Sequence, residues 1–452
     1  MPTIERNRLT HLVERERETY VTEHPRSAEL YAKADHLFGR VPMTWMNMWS
    51  GGFPLYLATA TGNRITDVDG HTYIDFALGD TGAMAGHSPA PTARAVNDRM
   101  GRLGGITTML PTEDAEWVAA ELARRFGLPQ WSFTLSATDA NRWAIRIARL
   151  VTGKSKIISF AYGYHGTVDE TFVVLAPDGT TLPRPGNVAP PVDPALTTRA
   201  AEFNDLASVE RALAHGDVAA ILTEPALTNI GIVLPEPGFL TGLRELATRY
   251  GALLMIDETH TISAGPGGAT LAWGLEPDIF VIGKSIGGGI PCGAYGITDR
   301  IAEFVMADAE ADVVDVGGVG GTLAGNALSL AAMRATLGEV LTDEAFTQMI
   351  SLATEFASGV QQVLDRYDVP WSVVQLGARA EYRFGRPAPR TGSASAAVAD
   401  GLLDEYVHLY TLNRGILMTP FHNMALMCPE TSALDVARHT EIFGELVAEL
   451  FS

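Results

Sequence analysis

"GALLMIDETHT", residues 251–261, is an apolar run that closes on two carboxylates and a histidine. A second run, "DIFVIGKSIGGGIPCGAYG", residues 278–296, closes on a lysine followed by glycines. Short uninterrupted apolar runs of this kind read as strands covered on both faces. Asp257 and Lys284 then stand at the ends of neighbouring buried segments, where an unpaired charge is expensive. Outward from this pair, "KIISF" (156–160) and "VAAILTEP" (218–225) repeat the strand pattern. "TDANRWAIRIARLVTG" (138–153), "LASVERALAHG" (206–216) and "GFLTGLRELATRYG" (238–251) show helical spacing between or beside them. Strand and helix in turn predict an α/β layer with a mainly parallel sheet, whose ligands gather outside the carboxyl ends of the strands.

The chain has 452 residues, enough for two or three packed units. With 33 basic and 53 acidic side chains the formal charge is -20, a field that disfavours nucleic acid as a partner. Cys292 and Cys428 are far apart in sequence and form neither a metal pair nor a disulfide framework, so no metal is expected. Residues 1–20 mix acids and bases without an apolar signal core, and no apolar run is long enough to span a bilayer. The expectation is a cytoplasmic protein that does not enter a membrane. Lysine is rare: Lys33, Lys154, Lys156 and Lys284 are the full set. Only Lys284 follows an apolar run.

Around this centre, the opening segment reads as a helix of alternating charge that could lie across another subunit. "DVDG" (67–70) lies inside alternating residues and predicts a hairpin. The proline-rich stretch 176–198 is a long loop of the kind used for lids or binding. "SVVQLGARAEYRF" (372–384) is a possible strand in a smaller terminal unit that begins near residue 340.

Several polar groups suit one bound cofactor. Ser136, Ala137 and Thr138 open a helix, where hydroxyls and unsatisfied N–H groups can seat a phosphate, although a serine there is more often a plain cap. Tyr164 and His165 follow the strand "KIISF" and could cover a flat heterocycle. Asp257 could face a protonated ring nitrogen. Lys284 could bond covalently to a cofactor aldehyde and then move a proton. The bland readings are a capped loop for the aspartate and a strand-end lysine snorkelling to water.

In order along the chain, "DVDGHTYIDF", "GHSP", "SATDAN", "YGYHG", "EP", "DETHT", "GKSIGGGIPCGAYG" and "GGTLAGNALSLAA" resemble the class III aminotransferases of the fold-type I pyridoxal-phosphate enzymes. The likeness is to the branch of glutamate-1-semialdehyde aminomutase and of β-amino acid and amine transaminases. It implies a large, mainly parallel-sheet domain and a smaller domain formed by both termini. The expected division is 1–100 for the N-terminal arm and part of the small domain, 101–335 for the cofactor domain and 336–452 for the rest of the small domain.

The resemblance also implies pyridoxal 5'-phosphate (PLP) as cofactor, with Lys284 as its covalent anchor and Asp257 as partner of the pyridine nitrogen. Ser136, Ala137 and Thr138 fall on the phosphate turn. Tyr164 and Thr259 fall on the two faces of the ring, with His165 beside Tyr164, and His260 and Glu224 lie near the phenolic oxygen. Thr322 matches a residue that reaches the neighbouring subunit's phosphate, which implies a homodimer with composite active sites.

On the substrate side the chain departs from the aminomutases. "FGRVPMTWMNMW" (38–49) replaces their asparagine-serine-proline loop with its arginine, and Met424 stands where a glutamate is common. These departures predict an aminotransferase acting between an apolar primary amine or β-amino acid and a keto acid such as pyruvate. Trp49 is the candidate pocket wall, and Arg40, Arg379 and Arg383 are the candidate carboxylate contacts. The alternatives are an aminomutase, then a racemase or lyase, and, in a different class, a noncatalytic PLP-binding protein.

Overall fold

The computed structural model of the protein describes residues 4–190, 192–307 and 317–451. The chain divides into two compact units. One holds the residues up to Ser88, Thr347–Ala388 and those from Val398 on; the other holds Pro89–Phe346 and Pro389–Ala397.

In the terminal unit, β1 (Leu57–Thr61), β2 (Arg64–Asp67) and β3 (Thr72–Asp75) form an antiparallel ribbon. The β2–β3 turn is the "DVDG" hairpin expected from its alternation. The charged helix Arg6–Glu23 packs on the helix Gly401–Leu412 of its own chain. Its cations pair with C-terminal carboxylates, Arg6 with Asp400 at 2.5 Å and Arg15 with Glu449 at 2.5 Å. Its buried Glu16 receives Arg414 at 3.0 Å.

The second unit is built on a seven-stranded sheet. Its strands are β4 (Gln130–Thr134), β5 (Lys156–Phe160), β8 (Thr198–Ala201), β9 (Val218–Thr223), β10 (Leu253–Asp257), β11 (Ile279–Gly283) and β12 (Gly293–Ile297), in the order β4-β12-β11-β10-β9-β5-β8. Only β12 runs against its neighbours, pairing antiparallel with β11 and β4. The sheet is therefore mixed but mainly parallel. The proline-rich stretch is less open than the sequence suggested. A short hairpin of β6 (Val173–Leu175) and β7 (Thr181–Pro183) organises its first half.

Residue alternation explains why the strands are apolar throughout. Ile157, Leu253 and Met255 join one cluster with Ala144, Ile145 and Ala148 of the helix Ala137–Thr152. Ile158, Leu254 and Ile256 join another, with Leu213 from the helix Leu206–Leu213 and Leu243 from the helix Phe239–Tyr250. Successive side chains of a strand point to opposite faces, so covering both faces requires both sets to be apolar.

The C-terminal part of the terminal unit contributes β13 (Ser372–Leu376), β14 (Arg379–Arg383), β15 (Ile416–Leu417) and β16 (Met424–Leu426), followed by the helix Ala433–Phe451. β14 pairs antiparallel with both β13 and β16, and β15 adds in parallel to β3. The stretch 372–384 is thus two strands and a turn, because Gly377 breaks the apolar run. Among the described residues no helix is long and apolar enough to cross a membrane.

Candidate active site

β4, β5, β9, β10 and β11 all run the same way, so the residues just beyond them share one edge of the sheet. Ser136 follows β4, Tyr164 and His165 follow β5, Glu224 follows β9, Asp257 ends β10 and Lys284 follows β11. This is the carboxyl edge, where open α/β sheets bind ligands.

Asp257 is only 2% exposed, yet both carboxylate oxygens are engaged. Oδ2 accepts from Asn141 Nδ2 at 2.8 Å and lies 3.0 Å from His165 Nδ1. Oδ1 accepts the Thr259 hydroxyl at 2.6 Å and the Thr259 amide at 3.1 Å. Burial pushes this carboxyl up, but the hydrogen bond and charge of His165, with Thr259 and Asn141, outweigh burial and hold it below its ordinary value. It is a carboxylate kept anionic in the interior, suited to a cationic ring nitrogen.

Lys284 opens the turn Lys284–Gly287 with a φ of 52°, in the left-handed region that side-chain-bearing residues avoid. Its Nζ lies 2.9 Å from His260 Nε2. The strand end that presents the lysine sits tight against the start of the helix Ala137–Thr152. A Cβ on Gly283 would lie 3.0 Å from the Ala137 amide nitrogen, and one on Gly293 would lie 2.7 Å from the Ser136 carbonyl carbon. Only glycine permits that approach.

At the helix start, Ser136 Oγ accepts the Asp139 amide at 3.2 Å. Ala137 and Thr138 are the first two helical residues, so their N–H groups have no partner within the helix. Thr138 Oγ1 accepts the Thr167 amide at 3.1 Å. A phosphate fits this end of a 16-residue helix.

Glu224 accepts the Tyr164 amide at 3.4 Å and the Thr228 hydroxyl. Burial pushes its carboxyl up to about 7, with the negative charge of Asp257 adding to the shift and His165 and Thr228 opposing it. The donor set thus offers an anion for a ring nitrogen, an amine for an aldehyde, N–H groups for a phosphate and an aromatic for a ring face. Pyridoxal phosphate matches all four.

The sequence profile described as Aminotransferase class-III matches residues 45–443. The chain belongs to the class-III aminotransferase family. It is a fold-type I, PLP-dependent enzyme, with a fold built as the resemblance implied. A crystal structure of a glutamate-1-semialdehyde aminomutase from Pseudomonas aeruginosa PAO1 shares 48% identity over 99% of both chains, with a TM-score of 0.95. A lysine-to-alanine form of that enzyme, in complex with PMP, matches equally well. The glutamate-1-semialdehyde 2,1-aminomutase of Chloroflexus aggregans (strain MD-66 / DSM 9485) is 34% identical over 82% of this chain and 85% of its own. A β-phenylalanine aminotransferase from Variovorax paradoxus stands at 27% identity over 97% of each chain, with a TM-score of 0.85.

These likenesses overturn the expectation of amino transfer between an apolar amine or β-amino acid and a keto acid such as pyruvate. That reading took Met424 as an apolar replacement for a carboxylate. In the structure Met424 is buried on β16, and its Sδ meets the Arg379 guanidinium, at 3.0 Å from Nε. A methionine sulfur against a buried cation does not report an apolar pocket.

The remaining substrate candidates lie in the terminal unit. Arg379 is 1% exposed, with Asp80 3.7 Å away, and Arg383 is buried on the same strand. Arg40 donates to the Ala32 carbonyl at 2.5 Å and sits 3.7 Å from Asp35. Trp49 packs against the hydrophobic cluster that contains Tyr20, Phe53 and Tyr73. Thr322 is exposed in the loop before the helix Ala327–Ala335. His24, Asp67 and His71 bring possible metal-ligand atoms within 4.8 Å of one another. Hydrogen bonds already occupy that corner: His24 Nδ1 donates to the Tyr20 carbonyl at 2.6 Å, and the Tyr73 hydroxyl donates to Asp67 at 2.8 Å.

Sequence reading missed Asn141, whose amide bridges Asp257 and the His165 carbonyl at 3.2 Å. Its position one turn after Ala137, on the buried face of that helix, was the available signal.

Proposed function

We propose that the chain is a PLP-dependent aminomutase, exchanging the amino and oxo groups on adjacent carbons of a small amino aldehyde that carries a carboxylate, of the glutamate 1-semialdehyde type. The observation that carries this reading is the 48% identity over 99% of both chains to the Pseudomonas aeruginosa aminomutase.

When bound, the cofactor supplies an electron sink and a carbon that can lend an amino group and take it back. Asp257 keeps an anion at the ring nitrogen, with His165, Asn141 and Thr259 fixing its two oxygens. The Lys284 amine anchors the cofactor and, once released, takes a proton from the substrate carbon and returns it elsewhere. His260, 2.9 Å away, orients that amine. Ser136, Ala137 and Thr138 hold the phosphate. Tyr164, with His165 behind it, and Thr259 flank the ring, while Glu224 and His260 serve its phenolic edge. Thr322 reaches the phosphate of a second copy, so the working unit is a homodimer with composite sites.

An aminomutase needs no external acceptor, since the amino group goes back to the molecule that gave it up. PLP-loaded protein given 4-amino-5-oxopentanoate alone is therefore expected to produce 5-amino-4-oxopentanoate. Failure to isomerise, with stoichiometric alanine appearing once pyruvate is added, would refute the proposal.

A further inference from the structure

A carboxylate-bearing substrate requires a cation, and Arg40, Arg379 and Arg383 all lie in the terminal unit. The cofactor unit has a cation of its own beside the ring-stacking segment. Arg184 follows β7, at the end of the short hairpin in the proline-rich stretch. Its amide donates to the Phe172 carbonyl at 2.8 Å, which ties this end of the hairpin down. Its side chain turns toward the residues that follow β5. Nη1 donates to the Gly163 carbonyl at 3.2 Å, and Cζ lies 5.6 Å from the centre of the Tyr162 ring.

Among the described residues that carbonyl is the guanidinium's only hydrogen-bond acceptor, and no carboxylate lies within ion-pair distance of it. A guanidinium carries five N–H donors in a planar fork, so most of them are left for a ligand. Glu224, whose charge acts on Arg184, spends one oxygen on the Thr228 hydroxyl and the other on the Tyr164 amide. Burial lowers the pKa of Arg184, partly offset by Tyr162, Tyr164 and Glu224. Arg184 is half-buried and its spare donors are not sealed in the interior, so an incoming anion can reach them. Tyr162 itself sits at a φ of 64°, a strained backbone that fixes the aromatic floor beneath the cation.

We propose that Arg184 is the specificity residue that receives the substrate's carboxylate, as a two-pronged contact at the wall formed by Tyr162, Tyr164 and Glu224. This deepens the aminomutase reading and rests on it for the identity of the substrate. The recognition chemistry is that of a planar fork meeting a planar anion.

The test uses PLP-loaded protein and glutarate, a five-carbon dicarboxylate, with binding followed by calorimetry and by the absorbance of the bound cofactor. Arg184→Gln is expected to weaken glutarate roughly 10- to 100-fold, leaving the cofactor spectrum and the affinity for pentan-1-amine unchanged. In turnover the KM should rise far more than kcat falls. Arg184→Lys, which keeps the charge but loses the fork, should fall between the two and guards against a misfolded glutamine variant. Glutarate bound equally well by wild type and either folded variant would overturn the assignment, as would a wild type that does not bind glutarate. A wild type that binds glutarate through Arg184 yet does not isomerise would refute the aminomutase reading and leave this assignment standing.

Discussion

Asp257 and Glu258 are adjacent in sequence and almost fully buried, at 2% and 0% exposure, yet they belong to opposite regions of the cofactor unit. Asp257 ends β10 at the carboxyl edge of the sheet, where its partners include the imidazole of His165. Glu258 turns the other way, into the segment 261–272. It accepts the Thr261 hydroxyl at 2.5 Å and the amides of Ala269 at 3.2 Å and Thr270 at 2.5 Å. Burial pushes Glu258 up, whereas the partners of Asp257 hold it down. One carboxylate is an anion available to a cofactor, and the other closes a loop. Burial alone does not mark a functional acid; the nature of its partners does.

The contrast is broken most severely at the lysine that shares the edge with Asp257. Lys284→Ala should lower turnover by on the order of 10³- to 10⁴-fold, with folding intact by circular dichroism. Normal turnover would remove the lysine from the chemistry. Asp257→Asn keeps the shape and loses the charge. Its kcat should fall about 10²- to 10³-fold, measured with saturating cofactor so that weakened binding does not contribute.

Glu224 sharpens the comparison through pH. Its carboxyl is raised from about 4.5 to about 7. Between those values the unfolded chain has released a proton that the folded protein still holds, so the folded state is penalised progressively as pH rises. Glu224→Gln removes the penalty. In cofactor-free protein, urea melts should show the variant gaining on the wild type from pH 4.5 to pH 7, by up to about 3 kcal/mol. A constant difference across that range would place the titration elsewhere.

The smallest effect on chemistry belongs to Glu258→Gln, which turns an amide donor toward the N–H groups of Ala269 and Thr270. Stability should drop by about 1–3 kcal/mol while kcat changes little. A large loss of kcat in stably folded protein would show that the two acids are not separable.

Much of this was legible in the sequence because strand burial leaves a composition signal. The runs ending at Asp257 and Lys284 are apolar, which marks them as buried strands, and the parallel pairing of β10 with β11 brings their ends to one edge. β12 was harder to read, since Gly293 and Gly296 interrupt "GAYGI" where the strand meets the Ser136 turn and Trp131. Asn141 and Arg184 were missed because each is polar on an element chosen for other reasons, and its role exists only once distant strand ends converge. Met424 misled for the same reason. Its neighbour Arg379 is 45 positions away, so the polarity of that place cannot be read from the methionine by itself.

The account rests on one amine holding the cofactor beside one anionic carboxylate, and the chain's four lysines make this directly checkable. PLP-loaded protein is reduced with borohydride, digested and mapped by mass spectrometry. The pyridoxyl mass is expected on the peptide containing Lys284. A pyridoxyl group found only at Lys33, Lys154 or Lys156, or on no lysine, would contradict the assignment of the site.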